Sequence, residues 1–330
     1  AQAVLDLLLS TAPRWETLEV RDQPFILSAL AKLPADTLKQ LRTVQLGGGS
    51  DGQSEPASAF LCAPLLREIT LSIAPRTEDF PMPWAQLTHL TLTDPRLHIC
   101  IGILVQCTSL VYAKIDAETD EETGISSSIE EVVTLPQLQT FFLSALGTQI
   151  APCLQSLALP GLTKLMVRHY SSENLQWTSA ASIVFPQFLR RSQSIQYFSL
   201  SFCDLNSRQL HDILLHLPSL TQLRLFSCEY CIDDFLLGAL KYSPDVAVHL
   251  VPRLRKLELQ SVDDSFTEDV LYSMICSRWW TADDLSTLAA PPPVAPWECM
   301  DLWRGDECYS PFSRSFQAKI KQLKAQGFQV

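Results

Sequence analysis

A six-residue pattern, apolar-x-x-apolar-x-apolar, recurs along almost the whole chain. It appears as Trp15-Leu18-Val20, Leu41-Val44-Leu46, Leu66-Ile69-Leu71, Leu87-Leu90-Leu92 and Leu110-Ala113-Ile115. It continues as Leu138-Phe141-Leu143, Leu162-Leu165-Val167, Ile195-Phe198-Leu200, Leu220-Leu223-Leu225 and Leu254-Leu257-Leu259. The last two apolar positions alternate with polar ones, as a strand with one buried face requires. The stretch that follows often switches to helical spacing. Leu210-Ile213-Leu214-Leu217, Phe235-Leu236-Ala239-Leu240 and Val270-Leu271-Met274-Ile275 each place apolar side chains on one helix face. Each repeat therefore reads as strand, turn, helix and return loop. One such repeat cannot bury its own apolar face, so neighbours must stack.

The copies recur about every 27 residues, inside the range of roughly 20 to 29 that defines leucine-rich repeats. The expected fold is an α/β leucine-rich-repeat solenoid of about ten irregular repeats, with a curved parallel sheet on the concave side and helices on the convex side. Two repeats carry a Cys after the strand: Ile195-x-x-Phe198-x-Leu200-x-x-Cys203-x-Leu205 in full, and Leu220-x-x-Leu223-x-Leu225-x-x-Cys228 as far as the Cys. A small buried Cys there packs and weakly bonds the turn backbone. After Leu92, Leu143 and Leu259 the equivalent position holds Pro95, Leu146 and Val262, and long steps beginning at Leu162 and Leu220 imply loop insertions. The array is expected to occupy 1–288, with the N-terminal apolar helix as a cap. Residues 289–330 read as a Pro-rich segment covering the last repeat, followed by a capping helix within Ser310 to Gln326 that stops at Gly327.

Composition narrows the functional classes. Of the 330 residues 47% are apolar and 18% charged, which suits a large core and excludes a disordered chain. A net charge of −11 disfavours nucleic acid and anionic membrane surfaces as general partners. No apolar run reaches the roughly 18 residues of a membrane span. The ten cysteines are scattered, which suits reduced thiols in a cytoplasmic or nuclear protein. The chain starts at Ala1 and not at Met, consistent with a longer gene product.

No motif for chemistry stands out. Gly47 to Gly52 follows a strand but lacks the Lys and Ser/Thr of a phosphate-binding loop, so it reads as a return loop. The acidic stretch Glu118 to Glu131 reads as a solvated insertion. Cys228-x-x-Cys231 is the only close cysteine pair. A zinc site there would need His211 and His216 from the preceding repeat, while Cys228 already has a repeat role. The pairs Asp233-Asp234, Asp263-Asp264 and Asp283-Asp284 fall where helices start and read as caps. No catalytic residue, metal or cofactor is expected, and the chain reads as a binding protein and not an enzyme.

Between the buried leucines, each strand offers residues to the concave side: Glu19, Gln45, Thr70, Thr91, Lys114, Phe142, Met166, Ser199, Arg224 and Glu258, with Lys164, Arg168, Tyr197, Phe226 and Lys256 beside them. The first half of this ladder is small and polar. The second half gathers Phe142, Lys164, Met166, Arg168, Tyr197, Arg224 and Phe226, residue types that anchor protein interfaces. These seven are the candidate partner-binding residues, and their basic members on an acidic chain point to an acidic or phosphorylated protein segment.

Three segments add a resemblance. Arg14-Trp15-Glu16-Thr17-Leu18, the run from Phe266-Thr267-Glu268-Asp269-Val270-Leu271 to Met274-Ile275-Cys276-Ser277-Arg278-Trp279, and Ile320-Lys321-Gln322-Leu323-Lys324-Ala325-Gln326-Gly327-Phe328 are similar to the leucine-rich-repeat region of fungal F-box-like proteins. The resemblance covers nearly the whole chain. It implies substrate recognition for a cullin-RING ubiquitin ligase. In that family an F-box binds the Skp adaptor; these residues contain none, so Skp binding implies a box upstream of Ala1. The alternative from the residues alone is a free-standing scaffold or inhibitor.

Overall fold

The computed structural model describes residues 2–21, 24–47, 58–72, 81–93, 97–117, 132–169, 177–228, 230–261, 265–280, 284, 290–303 and 312–329. The acidic stretch 118–131, most of the glycine loop, Pro95, Val262 and the Asp263-Asp264 pair lie outside them. The chain divides into two compact units, Ala1–Gly161 and Leu162–Val330.

In the first unit, helix α1 (Gln2–Ser10) precedes strand β1 (Thr17–Arg21), helix α2 (Pro24–Ala31), and strands β2 (Thr43–Gly47), β3 (Glu68–Ser72) and β4 (His89–Thr93). Helix α3 (Leu97–Gln106), strand β5 (Tyr112–Ala117), the short β6 (Val133–Thr134), strand β7 (Thr140–Ala145), helix α4 (Gly147–Gln155) and the short β8 (Leu157–Ala158) follow. Strands β1 to β5 and β7 pair in parallel, in chain order. Their register aligns Leu18, Val44, Ile69, Leu90, Ala113 and Phe141 in one buried row, and Val20, Leu46, Leu71, Leu92, Ile115 and Leu143 in the next. A one-residue slip would turn both rows to solvent, so burial fixes the register.

The first apolar residue of each repeat has a different role, closing the turn before the strand. Leu41, Leu66, Leu87, Leu110 and Leu138 are fully buried, and each donates its N–H to a carbonyl three residues back. Two successive N–H groups then share one carbonyl of the preceding repeat, as Arg67 and Glu68 do on Arg42. Between β2 and β3 and between β3 and β4 the described residues show the 3-10 turns Ser58–Phe60 and Trp84–Gln86 and no α-helix. At the end of the unit β6 and β8 pair in parallel, and Gly161 lies so close to Pro136 that a Cβ would collide with the proline carbonyl.

The second unit holds β9 (Lys164–His169), α5 (Ser179–Arg190), β10 (Tyr197–Ser201), α6 (Ser207–Leu214), β11 (Gln222–Phe226), α7 (Asp234–Leu240), β12 (Lys256–Gln260), α8 (Glu268–Ser277), β13 (Cys299–Trp303) and α9 (Arg314–Ala325). Its five strands are parallel and paired in chain order. Leu165, Phe198, Leu223, Leu257 and Met300 form one buried row; Val167, Leu200, Leu225, Leu259 and Leu302 form the second, buried as far as Leu259.

Strand β13 adds one strand to those that the ten repeat patterns mark. It lies inside the 289–330 segment, pairs with β12, and repeats the shared-carbonyl signature: Glu298 and Cys299 both donate to Arg255. Trp297-Met300-Leu302 is the repeat pattern with Trp and Met in place of leucines. The Pro-rich segment is the return loop into this strand, tied down where Ala295 donates to Pro252 at 2.7 Å. Trp297 is 1% exposed and stacks under the guanidinium of Arg278 at 4.5 Å. Arg278 is itself fully buried and donates to the carbonyls of Ala295, Pro252 and Leu254.

Polar side chains staple successive helix starts together. Thr178 and Asn206 cap α5 and α6, the latter in a capping box with Gln209, whose amide also donates to Ser182. Ser207 donates to Asp233, the N-cap of α7 (2.6 Å); Asp234 accepts from the backbone of Thr267 (2.7 Å), the N-cap of α8. Glu268 accepts the N–H and the hydroxyl of Ser313, the N-cap of α9. The Asp233-Asp234 pair is thus a cap and a strut, as its position at a helix start requires. Helix α9 ends at Gly327 with φ +97°, the left-handed stop expected of glycine.

Candidate partner-binding face

In both units the strand residues between the buried rows share the opposite face of the sheet. Phe142 belongs to the first unit, where it is half-buried beneath Lys114, whose Nζ lies 5.2 Å from the ring. Lys114 also faces Asp116 at 3.8 Å, and His89 stacks on Tyr112 in the neighbouring strands. The other six candidate residues stand in the second unit and form three rows across its strands.

The first row is Lys164, Tyr197, Gln222, Lys256 and Cys299. The middle row is Met166, Ser199, Arg224, Glu258 and Asp301, and its right-hand side is a connected polar network. Arg224 donates to Gln260 (3.2 Å) and faces Glu258 (3.5 Å); Gln222 donates to the same Glu258 (2.6 Å); Gln260 donates to Asp301 (2.8 Å). The charge of Arg224 is therefore met inside the sheet face. Lys164, Arg168 and Lys256 are the exposed cations of these rows.

The third row is Arg168, Ser201, Phe226, Gln260 and Trp303. It gains a member that pattern reading missed. Phe202, one residue past β10, adopts φ +57°, which turns its ring back over the row. The ring packs edge-on against Phe226 at 5.2 Å and lies beneath the Arg168 guanidinium at 5.1 Å. Phe202 remains 38% exposed and Trp303 45%. The left-handed turn repeats at Ser227 and Ser261, and each of the three donates its N–H to the next strand's end: Phe202 to Phe226, Ser227 to Gln260, Ser261 to Trp303. No sequence signal marks a non-glycine residue for positive φ, so the orientation of Phe202 was invisible in advance.

Behind that turn the cysteines take the role expected of them. Cys203 and Cys228 are buried and their thiols donate to the carbonyls of Ser201 and Phe226; Cys231 donates to the carbonyl of Cys228. Contact with Cys228 and burial push the Cys203 thiol well above its usual range. His211 lies against Phe235 and Asp212. Among the described residues no three His, Cys, Asp or Glu side chains form a group suited to a metal ion. His169, on the inward side of β9, has its pKa lowered by burial, partly countered by Asp204. Among the described residues no helix is long and apolar enough to cross a membrane.

Comparison with known proteins gives no matching family model and no matching curated protein. Solved structures do match. One is a protein from Bacteroides fragilis, 13% identical, covering 88% of this chain and 73% of that one, with a TM-score of 0.45. Another is the leucine-rich repeat-containing protein LegL7 from Legionella pneumophila, 13% identical, covering 98% of this chain and 94% of that one, with a TM-score of 0.46.

Proposed function

We propose that the chain is a protein-interaction scaffold whose second unit holds an extended acidic segment of a partner across its strand face. The observation that carries this reading is the third row. Arg168, Phe202, Phe226 and Trp303 gather on one rim, partly or fully accessible, and arginine and large aromatics are the residues that anchor interfaces. Lys164, Arg168 and Lys256 supply positive charge on a chain of net −11. Arg224, bound by its own neighbours, stiffens the face.

The finer reading is that the partner is a substrate and the protein a recognition subunit of an F-box-type ubiquitin ligase. Its support is the resemblance over Phe266 to Trp279. Affinity purification of the N-terminally complete protein from its own cells, read by mass spectrometry, tests both levels. Recovery of a Skp adaptor, a cullin and further proteins is expected; the double variant Arg168→Glu/Phe226→Ala loses the further proteins and keeps the adaptor. Partners without adaptor or cullin leave a free-standing scaffold and remove the ligase reading. Partner recovery unchanged in the double variant removes the strand-face reading.

A further inference from the structure

Among the described residues the buried ladder of the second unit has no strand beyond β13. Leu200, Leu225 and Leu259 are buried, whereas Leu302, next in the row, is only half-buried. Beyond it lies a groove of about 460 Å³ between the outer edge of β13 and helix α9. Leu302, Phe316 and Ile320 form its apolar floor, and Lys321 and Lys324 its rim, with Asp301 at the strand side. The spacing Phe316-Ile320-Lys324 keeps these side chains on one face of α9.

Among the described residues the strand edge beside the groove keeps one backbone donor without a partner. Cys299 turns its N–H toward β12, so alternation turns those of Met300 and Leu302 outward. Met300 N–H is taken by Gln329 O at 2.8 Å. The N–H of Leu302 has no partner among the described residues. A partly paired edge next to an apolar groove can accept an added strand at the donor left over. Charge selects what adds. Helix α9 carries Arg314, Lys319, Lys321 and Lys324 and no acidic residue, on a chain of net −11. Lys319 is spoken for by Asp269 at 2.8 Å; Lys321 and Lys324 are exposed at the groove.

We infer that the β13–α9 groove is a second docking site, separate from the strand face, which receives an extended peptide of alternating apolar and acidic residues as a further strand. The peptide backbone pairs with Leu302, its apolar side chains fill the place of a next repeat above Leu302 and Ile320, and its carboxylates meet Lys321 and Lys324.

The test uses the full chain and a fluorescent hexapeptide alternating glutamate and valine, with a lysine–valine hexapeptide as its counterpart. Anisotropy titrations at low salt should show binding of the acidic peptide alone. Lys321→Glu/Lys324→Glu should weaken it by about tenfold or more, since two charge pairs become repulsive. Arg168→Glu should leave it unchanged, which separates this site from the strand face. Hydrogen exchange of the Leu302 amide should be fast in the free protein and slow with peptide, a readout that needs no variant. Equal binding of both peptides, binding lost with Arg168→Glu, or a Leu302 amide already protected in the free protein each overturn the proposal. So does concentration-dependent dimerisation abolished by Lys321→Glu/Lys324→Glu, which would make a second copy the occupant.

Discussion

Arg278 decides whether the last repeat is held by a buried charge or merely tolerates one. Its side chain is fully buried, and among the described residues no carboxylate pairs with it. Burial pulls its pKa down to about 10, far enough above neutral to leave it charged. Nε and Nη2 are met by three carbonyls, with Leu254 closest at 2.7 Å, and the plane by the face of Trp297, while Nη1 is buried without a hydrogen-bond partner among the described residues. Two effects compete. Removing the guanidinium orphans those carbonyls at roughly 1–3 kcal/mol each, not additively, and strips a desolvated cation–π contact of about 2 kcal/mol. Against this, desolvating the cation costs several kcal/mol that an apolar replacement recovers. Because the same fork ties together the β12 entry turn, the Pro-rich loop and the base of β13, the first effect should win. Arg278→Met should cost about 3 kcal/mol, a fall of about 6–12 °C in Tm for a unit of this size. Arg278→Lys should fall between, since a single ammonium nitrogen lacks the planar spread of Nε and Nη2. Arg255→Ala, which breaks an exposed pair with Glu298, is the control and should cost about 1 kcal/mol or less. Thermal unfolding followed by circular dichroism measures all three, and hydrogen exchange across 295–303 should quicken in Arg278→Met before global unfolding. A Tm for Arg278→Met equal to or above that of the unmodified chain would refute the reasoning, because desolvation would then outweigh the fork.

Three further outcomes follow from other parts of the chain. Exposed Cys62 should react promptly with a thiol reagent at pH 8, whereas Cys107 and Cys153, pushed up to about 12 by burial, should react only after denaturation; early labelling of either would show the core of the first unit to be open. The pKa of His169 is lowered in the folded state, so the unfolded chain binds its proton first as pH falls: stability should be full above about 6.5 and decline below it. Urea titrations should show that decline, and His169→Gln should flatten it. Gly161→Ala should destabilise the first unit by about 1–3 kcal/mol, because the new methyl meets the Pro136 carbonyl and not a yielding side chain; an unchanged urea midpoint would contradict that packing.

What the sequence disclosed and what it hid divide along one physical line. Period-two burial is written in residue type, so ten strands and both buried rows were legible, and so was the outward ladder, whose predicted members align residue for residue. The start of α7 was legible too, since Asp233 is a capping residue placed before apolar helical spacing. The eleventh strand was not, because Trp297-Met300-Leu302 follows prolines that suggested an end, and because its pattern uses bulky substitutes. Side-chain pairing was equally hidden. Arg224 and Arg168 look alike in sequence, yet one is bound to Glu258 and Gln260, which sit 34 and 36 residues away along the chain, and the other lies over Phe202.

The two proposed sites arise from that same line. Within a repeat array each strand's apolar residues are covered by the neighbours on either side, so the pattern specifies its own burial and leaves only the opposite face to a partner. At the last strand the rule lapses: Leu302 still obeys the pattern, but nothing in the pattern supplies the residue beyond it. A cap must be recruited from non-repetitive sequence, and α9 is such a recruit. Glu268 fixes its start through Ser313 and Asp269 holds Lys319, so the helix is anchored to α8 and stands beside β13 without completing its edge. The position of that anchor, and not the repeat, therefore determines that the groove exists. Substituting Glu268 should free α9 and alter peptide binding at the groove while the strand face, built wholly from repeat residues, keeps its partner.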